Sequence, residues 1–252
     1  MVHKTLLIAI FLGLSHSLFA ENVHVAVASN FKNTMLDITK VFEQSSGHKV
    51  LLSFGASGKF YAQIRHGAPF DIFLSADQTI PAKLEKEGFV VPDKIATYAI
   101  GRLALWSANS KLIKNNPEVL KMGSFNKLAL ANPKLAPYGV AAVDTLKSLQ
   151  LHDKTKAKWV QGENIAQTYQ FVRTGNAQIG FIAFSQIMDG NHLKTGSFWL
   201  VPREYHRPIK QDAALLSRGN TNAAAREFLR FLSSHSAQRI IESYGYATSS
   251  TK

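Results

Sequence analysis

Blocks of apolar periodicity alternate with short polar turns along most of the chain. Val23–Ala28 alternates and is rich in Val and Ala, which predicts a buried strand. Phe31, Met35, Ile38, Val41 and Phe42 then recur at helical spacing, and Gly47 follows in a C-cap region. Val50–Phe54 reads as a second strand. A short helix is predicted from Gly58 to His66, with Phe60 and Ile64 on one face, and Phe70–Leu74 as a third strand. Pro81 opens a further helix at a favoured first-turn position, and Gly88 closes it. Residues 95–106, I-A-T-Y-A-I-G-R-L-A-L-W, form a longer strand-like run.

A second set follows: strand Leu128–Ala131, a helix from about Gly139 to Leu149, a helix from about Asn164 to Thr174, and strand Ile179–Phe184. Asp212–Leu216 is a late strand, and Asn222–Tyr246 is helical. Alternating strands and helices imply parallel sheets covered by helices. There is no repeat, low-complexity tract or long linker. Two α/β lobes without a linker must be joined by crossing strands, and the runs at 95–106 and 207–216 are the candidates.

The first twenty residues do not belong to that pattern. One Lys precedes an almost wholly apolar Thr5–Leu14, and S-H-S-L-F-A ends in a small residue before Glu21. This is the layout of a secretory signal peptide cut after about Ala20. The apolar run is too short to span a bilayer, and no later segment reaches the ~20 residues a spanning helix needs. The mature protein is therefore expected to be exported, without stable membrane insertion. Export permits disulfides, yet the chain has 0 Cys. Cysteine nucleophiles, thiolate ligands and a lipid-bearing Cys are excluded.

Composition adds one constraint. The chain has 252 residues, 46% hydrophobic and 18% charged, with net charge +12. That balance suits an anionic partner. The basic residues are scattered, and no RRM, helix-turn-helix or zinc-finger pattern appears, so nucleic acid is not expected. The histidines form no H-x-H or H-E-x-x-H pair, which argues against a catalytic metal.

Chemistry concentrates in S-F-G-A-S-G-K-F, residues 53–60. A phosphate loop needs G-x-x-x-x-G-K-[ST], but Gly55 and Gly58 are three apart and Phe60 replaces the magnesium-binding hydroxyl. A nucleophile elbow needs G-x-S-x-G, but Lys59 holds the last position. What remains is a strand, a glycine turn and Ser57 at a helix N-cap. First-turn amides lack internal partners and face the positive end of the helix dipole, so such a turn is a ready anion site. V-A-V-A-S-N-F repeats the arrangement at Ser29 and Asn30. Two such turns can face one crevice at the carboxyl edge of a sheet. Plain helix capping by Ser29 and Ser57 fits the same residues, and they leave both readings open.

In order along the chain, A-S-N-F, G-A-S-G, G-A-P-F-D-I-F-L-S-A-D (67–77), T-Y-A-I-G-R-L-A-L-W-S, A-N-P-K-L-A-P-Y-G (131–139), Q-G-E-N-I-A-Q (161–167), G-F-I-A-F-S-Q (180–186) and a closing Y-G-Y resemble the periplasmic molybdate-binding proteins of ATP-driven uptake systems. The resemblance implies an α/β, two-lobed type II periplasmic binding protein. Each lobe is a mostly parallel sheet flanked by helices, and two crossing strands form the hinge. Lobe 1 would take 22–101 plus 206–252, and lobe 2 would take 102–205. The resemblance assigns oxyanion contacts to Ser29, Asn30 and Ser57, and to the backbone amides of Tyr138 and Ile165. Much of the family adds a Tyr hydroxyl from the segment written here G-F-I-A, where this chain has Ala183. It resembles the branch with Asn in the first loop and Tyr in A-P-Y-G.

The implied ligand is molybdate or tungstate, with molybdenum bound only as the oxyanion. No cofactor and no catalytic residue are expected. The implied partner is an ABC transporter permease, reached by a monomer in the periplasm. Lys59 is expected to be a solvated neighbour of the site, and Asp71 and Asp77 to be helix caps or hinge contacts. Sulfate and phosphate carriers are the near rivals. The rival of another class is an exported hydrolase with Ser57 as nucleophile, drawing its base from His66 or His206.

Overall fold

The computed structural model describes residues 21–248, and the leader assigned to residues 1–20 lies outside them. The chain runs through β1 (Asn22–Ala28), α1 (Lys32–Ser46), β2 (Lys49–Gly55), α2 (Ser57–Arg65), β3 (Ile72–Leu74), α3 (Thr79–Lys86) and β4 (Val90–Gly101). Next come β5 (Leu103–Ser107), α4 (Glu118–Met122), β6 (Leu128–Ala131), α5 (Pro137–Ser148), α6 (His152–Lys156), β7 (Trp159–Gly162), α7 (Ile165–Arg173) and β8 (Ile179–Ala183). A small ribbon of β9 (Met188–Asp189) and β10 (His192–Leu193) precedes β11 (Ser197–Leu200), and β12 (Ile209–Leu216), α8 (Ala223–Leu232) and α9 (His235–Ser243) finish the chain.

Two five-stranded sheets result, ordered β2-β1-β3-β12-β4 and β11-β5-β8-β6-β7. In the first sheet β12 alone runs against its neighbours, and in the second β5 does. Each sheet is therefore mixed but mostly parallel, with helices on both faces. The sides of β1 show how. Val23, Val25 and Val27 pack with Phe31, Met35, Ile38 and Phe42, and with Phe228 and Ile241 from the C-terminal helices. Ala26 joins Phe60, Ile64, Phe73 and Leu84 on the other face. Each of these Val, Leu, Ile, Met and Phe side chains, fully buried, contributes roughly 1.5–3 kcal/mol. Val41 departs from the predicted stripe and is exposed, on the shoulder of α1. Gly47 takes φ 75° and ends that helix, its amide returning to the Glu43 carbonyl at 3.1 Å.

The long run at 95–106 is two strands. β4 belongs to the first sheet, and after Arg102 the chain continues as β5 in the second. The return differs from the prediction: β12 lies wholly in the first sheet, and the chain between β11 and β12, residues 201–208, makes the passage. Val201 still donates to the Leu103 carbonyl (2.9 Å), whereas Ile209 already pairs with Gly101. Gly101 is required there, because a Cβ would lie 2.2 Å from the Tyr138 hydroxyl. The helix predicted over 222–246 is broken: the Ser234 hydroxyl accepts from the Ala237 amide (3.3 Å) and starts α9 afresh.

Candidate functional site

The strand pairings place four turns together. Ala28 pairs with Gly55 at the carboxyl ends of the parallel strands β1 and β2. Ala131 pairs with Gly162 at the ends of β6 and β7. A helical segment follows each: a single 3-10 turn at Ser29–Phe31, then α2 and α7 within three residues, and α5 after the loop 132–136. The two pairs of turns meet across the boundary between the sheets. The Gly58 amide donates to the Leu135 carbonyl (3.0 Å), the Ser29 hydroxyl to Asn164 Oδ1 (3.4 Å), and the Ser185 hydroxyl to the Asn30 carbonyl (3.0 Å).

All five residues assigned from the sequence lie at these turns and are sealed from water, with relative exposures from 1 to 6%. Ser57 is the first residue of α2 and Ala56 is its N-cap, one position earlier than predicted. The Ser57 hydroxyl does not cap; it accepts from the Ala76 amide (3.0 Å) and keeps its own proton to donate. Tyr138 is the second residue of α5, after Pro137, and Ile165 is the first of α7. Amides at such positions have no acceptor within the helix. Asn164 caps α7, its Oδ1 accepting from the Gln167 amide at 3.0 Å. Gln186 steadies the same end: its Nε2 donates to the Ile165 carbonyl (3.0 Å) and its Oε1 accepts from the Ala183 amide (3.0 Å).

Beneath the turns lies a buried polar cluster. Asn30 Nδ2 donates to Gln211 Oε1 (2.8 Å) and to the Tyr246 hydroxyl (3.0 Å). Gln211 Nε2 donates to the Tyr138 hydroxyl (3.3 Å), and the Tyr98 hydroxyl donates to Gln211 Oε1 (3.0 Å). Tyr246 lies 2.9 Å from Ser185 Oγ. Burial holds the Tyr98, Tyr138 and Tyr246 phenols above their ordinary values, so all three keep their protons at neutral pH.

Charge stands further out. Lys59 pairs with Glu163 at 2.6 Å, and both side chains are well exposed. Lys32 and Lys194 border a cavity of about 140 Å³ beside Ser29 and Asn30. Asp71 Oδ2 accepts from the His24 amide (2.8 Å), and Asp77 Oδ1 accepts from the Ser75 hydroxyl (2.9 Å) and the Ile80 amide (3.2 Å) at the start of α3. Burial raises the Asp77 carboxyl, and Asp212 nearby adds repulsion. Neither candidate histidine is bonded to Ser57 among the described residues; His206 Nδ1 faces the Arg207 carbonyl at 2.8 Å.

The arrangement can hold a small anion by neutral donors at helix starts. Sequence reasoning found the turns but missed Tyr98, Asn164, Ser185, Gln211 and Tyr246. The closing Y-G-Y was the only trace of Tyr246. Gln211 gave none, since a glutamine in a strand run reads as a solvent-facing position.

Comparison with known proteins bears on the same region. The family model of bacterial extracellular solute-binding proteins matches residues 23–247. The Azotobacter vinelandii molybdate-binding protein ModA is 49% identical over 227 residues, 90% of each chain. That of Rhodobacter capsulatus is 43% identical over 241 residues, covering 96% of this chain and 94% of that one. A solved structure of an Azotobacter vinelandii periplasmic molybdate-binding protein superimposes with a TM-score of 0.88 at 37% identity, over 90% of this chain and 99% of that one.

Proposed function

The chain belongs to the bacterial extracellular solute-binding proteins and, among them, to the molybdate-binding proteins, and from that premise we propose that it captures molybdate, and tungstate, between its two sheets and delivers it to the permease of an ABC transporter. It is a solute-binding protein and not an enzyme, so the hydrolase reading of Ser57 falls. It works in the periplasm as a monomer, after loss of its leader.

One observation carries the reading. Four helical starts at paired strand ends meet across the boundary between the sheets, and the five residues assigned there are buried and include no carboxylate. Ser57 offers a hydroxyl, Ser29 offers one once it turns from Asn164, and Asn30, Tyr138 and Ile165 offer first-turn N–H groups. Each charge-assisted bond to an oxyanion contributes roughly 1.5–3 kcal/mol, so a dianion is held without a formal positive charge in contact. Phosphate keeps a proton near neutrality, its second pKa being about 6, and a donor shell disfavours that proton. The basic surface raises the rate at which anions arrive, an effect that salt weakens. The turns of the second sheet close on an anion first held by those of the first.

Thermal unfolding with molybdate, tungstate, sulfate and phosphate tests this. A ligand at 100 times its Kd adds about 2.7 kcal/mol, which for a chain of this size raises Tm by roughly 5–11 °C. Molybdate and tungstate should give that shift. No shift with either overturns the proposal.

A further inference from the structure

A second concentration of charge lies at the passage between the sheets, away from the turns. Arg102 is the residue between β4 and β5. It is half-buried, and its guanidinium lies over the Phe184 ring, 5.0 Å from the centroid. A ring face uses none of the five N–H donors at the guanidinium edge, and none of them has an acceptor among the described residues. Burial and the neighbouring charge of Arg203 hold its pKa below the ordinary arginine value, yet the group stays charged at any pH the protein meets.

Arg203 and His206 stand on the return passage, residues 201–208, and line with Arg102 a cavity of about 550 Å³. Arg203 has no acidic partner among the described residues. His206 turns Nδ1 to the Arg207 carbonyl (2.8 Å). Glu242 borders the same cavity, its Oε1 accepting from the Thr248 hydroxyl (2.6 Å). Two guanidinium groups that share a partly desolvated cavity repel each other. A dianion between them turns that repulsion into attraction, and arginine takes phosphate oxygens in pairs. The molybdate turns disfavour the proton that phosphate keeps near neutrality. Here formal positive charge offsets that cost, and a carboxylate at the border can accept the proton. The volume also accommodates an organic group on the phosphate.

We propose that Arg102, Arg203 and His206 form a second anion site, for a phosphate-bearing dianion, whose occupancy ties the two passages between the sheets together. Arg102 belongs to the outgoing passage and Arg203 to the return, so an anion that bridges them restrains one against the other. The sheets must hinge at those passages to open. Tyr246 carries the restraint inward: it lines the cavity, and its hydroxyl donates to the Asn30 carbonyl (3.0 Å) in the first anion turn. A filled site therefore slows the release of molybdate, a consequence that rests on the reading that molybdate is held between the sheets.

Calorimetry on protein saturated with molybdate, whose turns are then closed to phosphate, tests the site. Inorganic phosphate and glycerol phosphate are titrated separately at fixed ionic strength. Each should bind saturably, and the tighter of the two tells whether free phosphate or a phosphomonoester is the occupant. Arg102→Gln should weaken both by about 10- to 150-fold, the loss of one charge-assisted contact, and keep its molybdate affinity. No saturable binding, or binding that Arg102→Gln leaves unchanged (an adventitious ion only), overturns the site. If Arg102→Gln also loses molybdate it has misfolded, and Arg203→Gln, at an exposed position, carries the same test with the same outcomes.

Release of radiolabelled molybdate into an excess of unlabelled molybdate tests the coupling. Phosphate should slow release several-fold in the wild type and leave Arg102→Gln unaffected at the same ionic strength. Equal rates with and without phosphate, in protein whose second site fills, overturn the coupling. Protein that takes up no molybdate overturns the function instead. The phosphate titration is then read on unloaded protein, where the effect of Arg102→Gln still decides the second site.

Discussion

The Gly58 amide donates to the Leu135 carbonyl at 3.0 Å, joining the first turn of α2 to the loop that leads into α5 across the boundary between the sheets. A Cβ on residue 58 would lie 3.1 Å from that oxygen and 3.2 Å from the Leu135 Cα, both backbone atoms with little room to yield. Gly58→Ala must push that loop away, so it should lower both the Tm and, several-fold, the molybdate affinity. Unchanged values in thermal unfolding and calorimetry would show that the loop yields freely.

Ser57 sits at the start of α2 with a free hydroxyl proton, since its oxygen already accepts from Ala76. Loss of one charge-assisted bond weakens an anion by about 10- to 150-fold. Ser57→Ala should show that loss for molybdate by calorimetry. Unchanged affinity removes Ser57 from the shell.

Lys59 pairs with Glu163 in solvent, at 2.6 Å but with both partners well exposed. Exposed pairs contribute little, so Lys59→Ala should change molybdate affinity by less than about 5-fold at physiological salt. Adding 0.5 M salt should remove most of that difference. A loss as large as that of Ser57→Ala would show that the ammonium touches the anion.

Asp77 supplies a pH dependence. Burial, with repulsion from Asp212, raises its carboxyl above the ordinary 3.8. A raised folded-state pKa gives stability that is fully present below the unfolded value and is lost as pH rises through the folded one. Asp77→Asn keeps an acceptor for Ser75 and Ile80 but cannot ionise. Relative to the variant, the wild type should lose Tm as pH rises from about 4 towards neutrality. Parallel Tm profiles would falsify the assignment.

What could be read in advance followed local pattern. Val23–Ala28 and its α1 stripe, the Gly47 stop, and the serine after each first-lobe strand are all encoded within a few neighbouring residues. Ser57 was placed one residue off because a glycine turn looks alike whether the serine is the N-cap or the first helical position. The break at Ser233–Ser234 was hidden because Phe228, Leu232 and Ile241 keep an apolar rhythm across it. Gln211 and Tyr138 are 73 positions apart, and their hydrogen bond exists only once two sheets have formed. No periodicity within either segment reports it.

β12 lies between β3 and β4, with the whole of the second sheet intervening in the chain. That places the order of assembly under control of the far end of the polypeptide. The strands of the second sheet come from one unbroken stretch and can pair as soon as it has emerged. The first sheet cannot join β3 to β4 until residues 209–216 arrive, so its contacts are long-range and slow to form. A chain that must cross a membrane before folding gains from that delay. β3 stays without β12 along one edge until almost all of the polypeptide has passed, so the first sheet is completed only on the far side.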